Sequence, residues 1–180
     1  YDPVSNRRAF YDASYALPAA ACECYVAYNP GPSQSSFVSM LRSGMMGWCT
    51  IMSDPSTWSG AQRAAAAREF KIFKSRLRPL IQSANLYHIS QRPDGVNWDG
   101  MEYADTSRSH GVVYAFRGTG PARSHTFVLR GLDPDAQYRV ECQDGSAPAA
   151  TVSGADLMQE GLTVTLAQPQ TSELVWLDRQ

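Results

Sequence analysis

Two acidic residues, Glu23 and Asp54, are the side chains of this sequence best suited to acid–base or nucleophilic chemistry. Glu23 lies inside a nearly continuous apolar run, Ala19–Tyr28, and burial of a carboxyl group raises its pKa, as a general acid requires. Asp54 follows a second apolar run, Gly44–Met52, at the strand end where the loops of β/α proteins build sites. We therefore predict Glu23 and Asp54 as a catalytic pair.

Each acid also has a simpler interpretation. Glu23 could lie at an exposed edge or pair with an arginine, because an unpaired carboxylate in a core is costly. Asp54 precedes Pro55 and fits a turn or a helix cap.

Four further side chains are predicted to bind a ligand at the same end of the strands. Trp48 and Trp58 flank Asp54, and aromatic faces stack on sugar rings. Tyr25 and Arg42 could supply hydrogen bonds. Core packing is the alternative use of both tryptophans.

The elements that position these residues are two short apolar strands followed by a long helix. Each strand is a nearly continuous apolar run bounded by Pro, Gly or Asp, which is typical of a strand buried on both faces in a parallel sheet. A short helix to about Arg42 separates them. Residues 61–84 form an amphipathic helix that Ser59 caps and that Pro79 bends or ends. Residues 1–14 are expected to be irregular, with a local helical turn around residues 7–11 as the alternative.

From Leu86 onward the hydrophobic period changes to two, which favours an antiparallel sandwich. Turn signals separate seven predicted strands, which cover 86–90, 98–104, 111–117, 125–130, 137–141, 162–166 and 174–177. The fold class is therefore α+β: two β/α units with a long helix, then an antiparallel β-sandwich. We predict a boundary near Asn85, with domains at 1–84 and 85–180.

Composition excludes several classes of function. The formal net charge is -1 and the sequence has no basic run of five or more residues, so neither nucleic acid nor an anionic membrane is an expected partner. The apolar runs are too short to span a bilayer. We expect no cofactor and no metal, because the sequence lacks phosphate-binding, zinc-helix and calcium-loop motifs. An acidic cluster at Asp94, Asp99 and Glu102 does not follow calcium-loop spacing.

The order of these segments resembles the C-terminal portion of the family 36 glycoside hydrolases, which include the α-galactosidases. Residues 17–30 and 41–48 resemble the last two barrel units of that family, and residues 70–90 (FKIFKSRLRPLIQSANLYHIS) resemble its last barrel helix. Segments 111–118, 129–138 and 153–162 resemble its C-terminal sandwich. The resemblance therefore implies that residues 1–84 are a remnant of a β/α barrel.

The resemblance implies a retaining glycosidase mechanism with two carboxylates, carried in motifs similar to K-W-D-x-N and S-D-x-x-D. Both motifs are absent from this sequence. Tyr25 stands where many relatives have His, and Glu23 lies near a usual Gly. Two hypotheses follow: a short glycosidase that uses Glu23 and Asp54, or a non-catalytic stabilising or sugar-binding module of a larger enzyme.

In both hypotheses the expected ligand is a carbohydrate or glycoside. Two parallel strands without barrel neighbours expose edges and apolar surface. We therefore expect the chain to form a homo-oligomer or to dock with the missing barrel segments.

Overall fold

The computed structural model describes residues 2–26 and 33–180. Helices α1 to α5 lie at Pro3–Ala13, Gln34–Ser43, Gly60–Ile72, Arg78–Ser83 and Gly154–Gln159. Strands β1 to β10 lie at Glu23–Val26, Trp48–Ile51, Asn85–His88, Asp99–Ala104, His110–Phe116, Ser124–Phe127, Gln137–Cys142, Ala150–Ser153, Leu162–Thr165 and Ser172–Arg179. None of the helices in these ranges is long and apolar enough to cross a membrane.

The amino-terminal segment is a helix, so the expectation of irregular structure over residues 1–14 is wrong. Asp2 caps α1, because its side chain accepts hydrogen bonds from the backbone N–H groups of Val4 and Ser5. Pro3 at the first helical position is compatible with a helix start. Phe10 anchors the helix in the core.

Strands β1 and β2 form a parallel pair, and α2 connects them in sequence. Each strand is shorter than the predicted apolar run, and Ala19–Ala21 forms a single 3₁₀ turn instead. The predicted strand residues 27 and 28, and the loop at 29–32, lie outside the described residues. Cys24 and Val26 are buried, whereas Glu23 and Trp48 are exposed. The prediction that both strands are buried on both faces is therefore wrong for this chain.

The long helix is present but contains a wider turn. Ser59 and Gln62 form a capping box at the start of α3, as the predicted cap at Ser59 requires. A π-helical turn at Phe73–Leu77 then leads into α4. Pro79 lacks an N–H group, so the regular ladder is interrupted just before it. The helix widens at this point and continues to Ser83.

The remaining chain is an antiparallel six-stranded sheet in the order β3-β4-β5-β10-β7-β8, covered by the two-stranded β6-β9 ribbon. All seven predicted strands are present, and β8 and α5 were not predicted. The antiparallel part of the fold prediction is therefore confirmed. The change from helix to strand falls between Ser83 and Asn85, while the division into two domains remains a prediction.

The sheet is buried on both faces, because its strands alternate between two hydrophobic clusters. Tyr103, Tyr114 and Trp176 face the helices and the parallel pair, in one cluster with Phe37 and Leu77. The other cluster contacts the β6-β9 ribbon and includes Val113, Val175, Phe127, Leu162 and Val164. The central sheet therefore supports the helical layer directly.

A buried ion cluster connects the helical layer to the sheet. The Arg42 guanidinium on α2 donates to both Glu69 carboxylate oxygens on α3, at 2.9 and 3.3 Å. It also pairs with Asp144 at 2.8 Å and donates to the Ser172 carbonyl at 3.1 Å. Glu173 lies 4.0 Å from the same guanidinium. Arg42 is therefore a structural cation shared by four elements of the chain.

We expect Arg42→Met to lower the free energy of unfolding by about 3–5 kcal/mol, because it leaves buried carboxylates without their cation. Urea unfolding followed by tryptophan fluorescence measures the change. The matched control is Arg139→Met, which breaks the exposed Arg139–Glu141 pair and should cost less than about 1 kcal/mol. Equal losses in the two variants would contradict the structural role of Arg42.

Candidate functional site

One face of the parallel pair carries three of the six side chains predicted for a site. Alternation along the strands places Glu23 and Tyr25 of β1 on the same face as Trp48 and Thr50 of β2. We call these four residues the open face. Trp48 is 64% exposed, whereas Cys24 on the opposite face is fully buried against the helices.

Glu23 forms a hydrogen-bonded group on the open face. Its carboxylate accepts from the Tyr25 hydroxyl at 2.7 Å and from the Thr50 hydroxyl at 2.8 Å. These two hydrogen bonds favour the ionised form and lower the pKa of Glu23 below its ordinary value. The expectation of a buried Glu23 with a raised pKa is therefore wrong, since this carboxylate is exposed to solvent.

Asp54 has a local role at the end of β2. Its side chain accepts from the Ser56 backbone N–H at 2.9 Å and caps the 3₁₀ turn Pro55–Thr57. The same interaction with Ser56 lowers the pKa of Asp54. Asp54 therefore adopts the capping arrangement, which is the simpler of the two interpretations of this residue.

The structure does not bring the two predicted carboxylates together. Glu23 pairs in register with Trp48, whereas Asp54 follows six positions later, beyond the carboxyl end of β2. From Trp48 to Ile51, the end of β2, the strand backbone alone advances about 10 Å. Retaining glycosidases hold their two carboxyl groups about 5–5.5 Å apart. Glu23 and Asp54 therefore do not have the geometry of such a pair.

Two of the predicted binding residues lie in the core instead of on the open face. Arg42 has no exposed surface, and Glu69, Asp144 and Ser172 occupy its donors. Trp58 is buried and packs edge-to-face on Phe37, with ring centroids 5.3 Å apart. Both side chains stabilise the helical layer here, because tertiary packing covers them.

The open face also includes Thr50, a residue that the sequence prediction missed. Thr50 lies two positions after Trp48, so strand alternation alone places the two side chains on one face. Its pairing with Tyr25 depends on strand register, which the sequence does not show. Tyr25, Glu23 and Thr50 together offer hydroxyl and carboxylate groups beside an exposed indole ring.

The acidic cluster near Trp98 separates into three independent interactions. Asp99 pairs with Arg7 of α1 at 2.7 Å, in the core. Glu102 accepts from the backbone N–H groups of Arg130 and Gly131, and its burial raises its pKa. Asp94 accepts from backbone N–H groups within its own turn. Within residues 2–26 and 33–180, no group of three or more His, Cys, Asp or Glu side chains is placed to hold a metal ion.

The antiparallel part of the chain matches the model of a known protein family. Residues 98–177 match the glycosyl hydrolase family 36 C-terminal domain. A probable α-galactosidase G from Aspergillus terreus is 29% identical over 175 residues, which cover 93% of this chain and 23% of that protein. These matches confirm the family resemblance that the sequence motifs predicted.

Solved structures share the fold. The galactosidase domain of an α-galactosidase–sucrose kinase superposes with a TM-score of 0.83 at 20% identity, over 99% of this chain and 25% of that one. A family 36 α-galactosidase from Geobacillus stearothermophilus, solved in complex with raffinose, gives a TM-score of 0.81 at 18% identity over 99% of this chain and 25% of that one. The chain thus spans about a quarter of the length of the relatives it matches.

We expect Tyr25→Phe to raise the pKa of Glu23 toward its ordinary value, because the variant removes a donor to the carboxylate. Titration of the ¹³C-labelled glutamate carboxyl groups by NMR measures the shift. Tyr15→Phe is the matched control, since the Tyr15 hydroxyl donates to Tyr11 instead. A Glu23 that titrates above its ordinary value in the unmodified chain would restore its candidacy as a general acid.

Proposed function

Starting from its place among the family 36 glycoside hydrolases, as an α-galactosidase-like C-terminal segment, we propose that this chain works as part of a larger α-galactosidase. In this proposal β1 and β2 are the last two strands of a β/α barrel. The antiparallel domain holds those strands in place, and further polypeptide supplies the other strands and the catalytic carboxylates. The chain by itself is then a stabilising and substrate-contacting module.

The open face is the observation that carries this proposal. Parallel sheets normally have both of their faces covered by helices. Here α1 and α2 pack on one face of a two-stranded parallel pair, while Trp48 on the open face is 64% exposed. Ile51 and Met52, at the carboxyl end of β2, are 46% and 47% exposed. A strand pair with unpaired edges and exposed apolar side chains favours additional strands beside it.

The geometry of the predicted acids supports the same proposal. Glu23 and Asp54 are exposed, have lowered pKa values and lie at different ends of the strand pair. Two such carboxylates lack the contrast between a protonated acid and an ionised nucleophile that glycoside hydrolysis uses. A short glycosidase that uses this pair remains the second hypothesis, and the assay below distinguishes the two.

We propose α-galactosides as the substrate class, because relatives of this fold include α-galactosidases solved with raffinose and with stachyose. In a complete barrel the open face would point toward the interior. Trp48 would then stack on a sugar ring, and the Glu23–Tyr25–Thr50 group would exchange hydrogen bonds with its hydroxyls. Arg42 and Trp58 would act at a distance by holding α2 and β2 in position.

We expect the isolated 180-residue chain to show no turnover of aryl α-galactosides, and a chimera to be active. The chimera joins this chain to the remainder of the Aspergillus terreus relative, in place of its matching segment. Trp48→Ala in the chimera should lower kcat/KM by about tenfold, since a lost aromatic contact of about 1.4 kcal/mol corresponds to that factor. Thermal unfolding verifies that each chimera is folded.

The decisive controls are Glu23→Ala and Asp54→Ala in the isolated chain. Turnover by the isolated chain that either substitution abolishes would establish the short glycosidase and overturn the module proposal. A folded chimera without activity would also contradict the proposal.

We further expect the isolated chain to self-associate through the exposed part of the parallel pair. Sedimentation velocity should show dimers or larger species that increase with concentration, and Trp48→Asp should shift them to monomer. Val128→Asp is the matched control, because Val128 is 47% exposed and lies on the antiparallel domain. A monomer at every concentration would rule out this association.

A further inference from the structure

A cleft on the antiparallel part of the chain lies apart from the open face. It forms where the β3–β4 connection meets the segments that enter and leave β6. Trp98 joins the two sides, because its indole N–H donates to the Ala122 carbonyl at 2.9 Å. The volume is about 510 Å³, within the range of about 300–1,000 Å³ typical of small-molecule sites. We call this space the Trp98 cleft.

Arg130 brings a positive charge to the Trp98 cleft. Its side chain is exposed, and within residues 2–26 and 33–180 the guanidinium makes neither a hydrogen bond nor an ion pair. Its backbone is fixed, because the N–H groups of Arg130 and Gly131 donate to the buried Glu102 carboxylate at 2.7 and 3.0 Å. Arginine binds carboxylate and phosphate groups through two parallel N–H donors, so an unpaired guanidinium in a concave surface is suited to an oxyanion.

His125 adds a second donor that the protein itself does not use. The half-buried imidazole packs against Trp98 and Phe127, with ring centroids 6.0 and 4.6 Å away. Its ring nitrogens have no hydrogen-bond partner in the described part of the chain. Burial lowers the pKa of His125, so the neutral ring keeps one N–H donor at neutral pH. Aromatic packing therefore holds this donor at the wall of the Trp98 cleft.

The other titratable side chains that line the Trp98 cleft already have partners. Arg92 donates to both Asp12 carboxylate oxygens, at 2.8 and 2.6 Å. Asp94 accepts three hydrogen bonds from its own turn, and these bonds lower its pKa. The His88 Nε2 atom lies 2.9 Å from the Ser14 hydroxyl. The charge left unpaired in the cleft is therefore the positive one of Arg130, which favours an anion over a cation or a neutral ligand.

We propose that the Trp98 cleft binds the carboxylate or phosphate group of a small molecule. In this site Arg130 supplies paired N–H donors and His125 supplies a single N–H donor. Gln91 and Asn97 also line the cleft, and their amide groups are available to polar parts of the same molecule. The site is separate from the open face and does not depend on the proposed function.

Isothermal titration of the full 180-residue chain at low ionic strength tests this proposal. The probes are inorganic phosphate, D-galacturonate and D-galactose, the last two differing by a carboxylate in place of a hydroxymethyl group. We expect saturable binding of at least one of the two anions with a dissociation constant of about 1–10 mM, and D-galactose should bind at least about tenfold more weakly. Binding of phosphate alone or of galacturonate alone would identify which anionic group the cleft accepts.

Two substitutions test the proposed donors. Arg130→Met should weaken anion binding by about tenfold or more, because charge-assisted hydrogen bonds are lost. His125→Phe keeps an aromatic ring against Trp98 and Phe127 and should weaken binding by about threefold to fivefold, because one neutral donor is lost. Circular dichroism checks that each variant is folded.

Arg78→Met is the matched control, since Arg78 is also exposed, forms no ion pair within the described residues and lies on α4, outside the cleft. Its anion affinity should equal that of the unmodified chain. In ¹H–¹⁵N spectra, the bound anion should shift the Trp98 indole resonance and leave that of Trp176, which donates to Gln143, unchanged.

Four results would overturn the proposal. Equal losses in Arg130→Met and Arg78→Met would show attraction to overall charge instead of a site. Equal affinity for D-galactose and D-galacturonate would show that the carboxylate is not recognised. A shift of the Trp176 indole in place of Trp98 would place the anion elsewhere. Absence of saturable binding of both anions would mean that water alone solvates the Arg130 guanidinium.

Discussion

The buried guanidinium of Arg42 is the interaction on which the rest of this structure depends. A cation with no exposed surface is tolerated only where carboxylates and carbonyls surround it. Glu69, Asp144 and the Ser172 carbonyl provide these partners from α3, from the turn after β7 and from β10. Separating the helices from the sheet would leave several charges unpaired in a low-dielectric core. The two layers are therefore held in one fixed arrangement.

A second set of buried polar contacts fixes the connection between α2 and β2 on the same sheet. Arg7 of α1 pairs with Asp99, lies over the Phe116 ring at 4.3 Å and donates to the Ser43 hydroxyl at the end of α2 at 3.0 Å. The hydroxyls of Tyr103 and Tyr114 donate to the carbonyls of Met46 and Met45, just before β2 begins. These hydrogen bonds satisfy backbone groups that would otherwise be buried without partners. The antiparallel sheet thus determines where the parallel pair lies.

The parallel pair is covered on one face and exposed on the other. The helices and the sheet cover one face of the parallel pair, so its position does not depend on further strands. The open face carries Glu23, Tyr25, Trp48 and Thr50 to the solvent. This asymmetry suits a module that is prebuilt by its own core and presents two strands to a larger assembly.

The sequence alone determined most of the local elements and the resemblance to a family. Ser59 before an Ala-rich run specifies a helix start, and period-two stretches specify strands, because both signals depend on near neighbours. The site was decided by tertiary structure. From the sequence alone, Arg42 is predicted to be an available hydrogen-bond donor. In the fold its guanidinium is occupied by Glu69 and Ser172, which lie 27 and 130 residues away along the chain. From its apolar neighbours in sequence, Glu23 is predicted to be buried. In the fold, strand register places Tyr25 and Thr50 beside it on a face that solvent reaches. Burial and pKa depend on contacts between distant segments, which neither composition nor periodicity encodes.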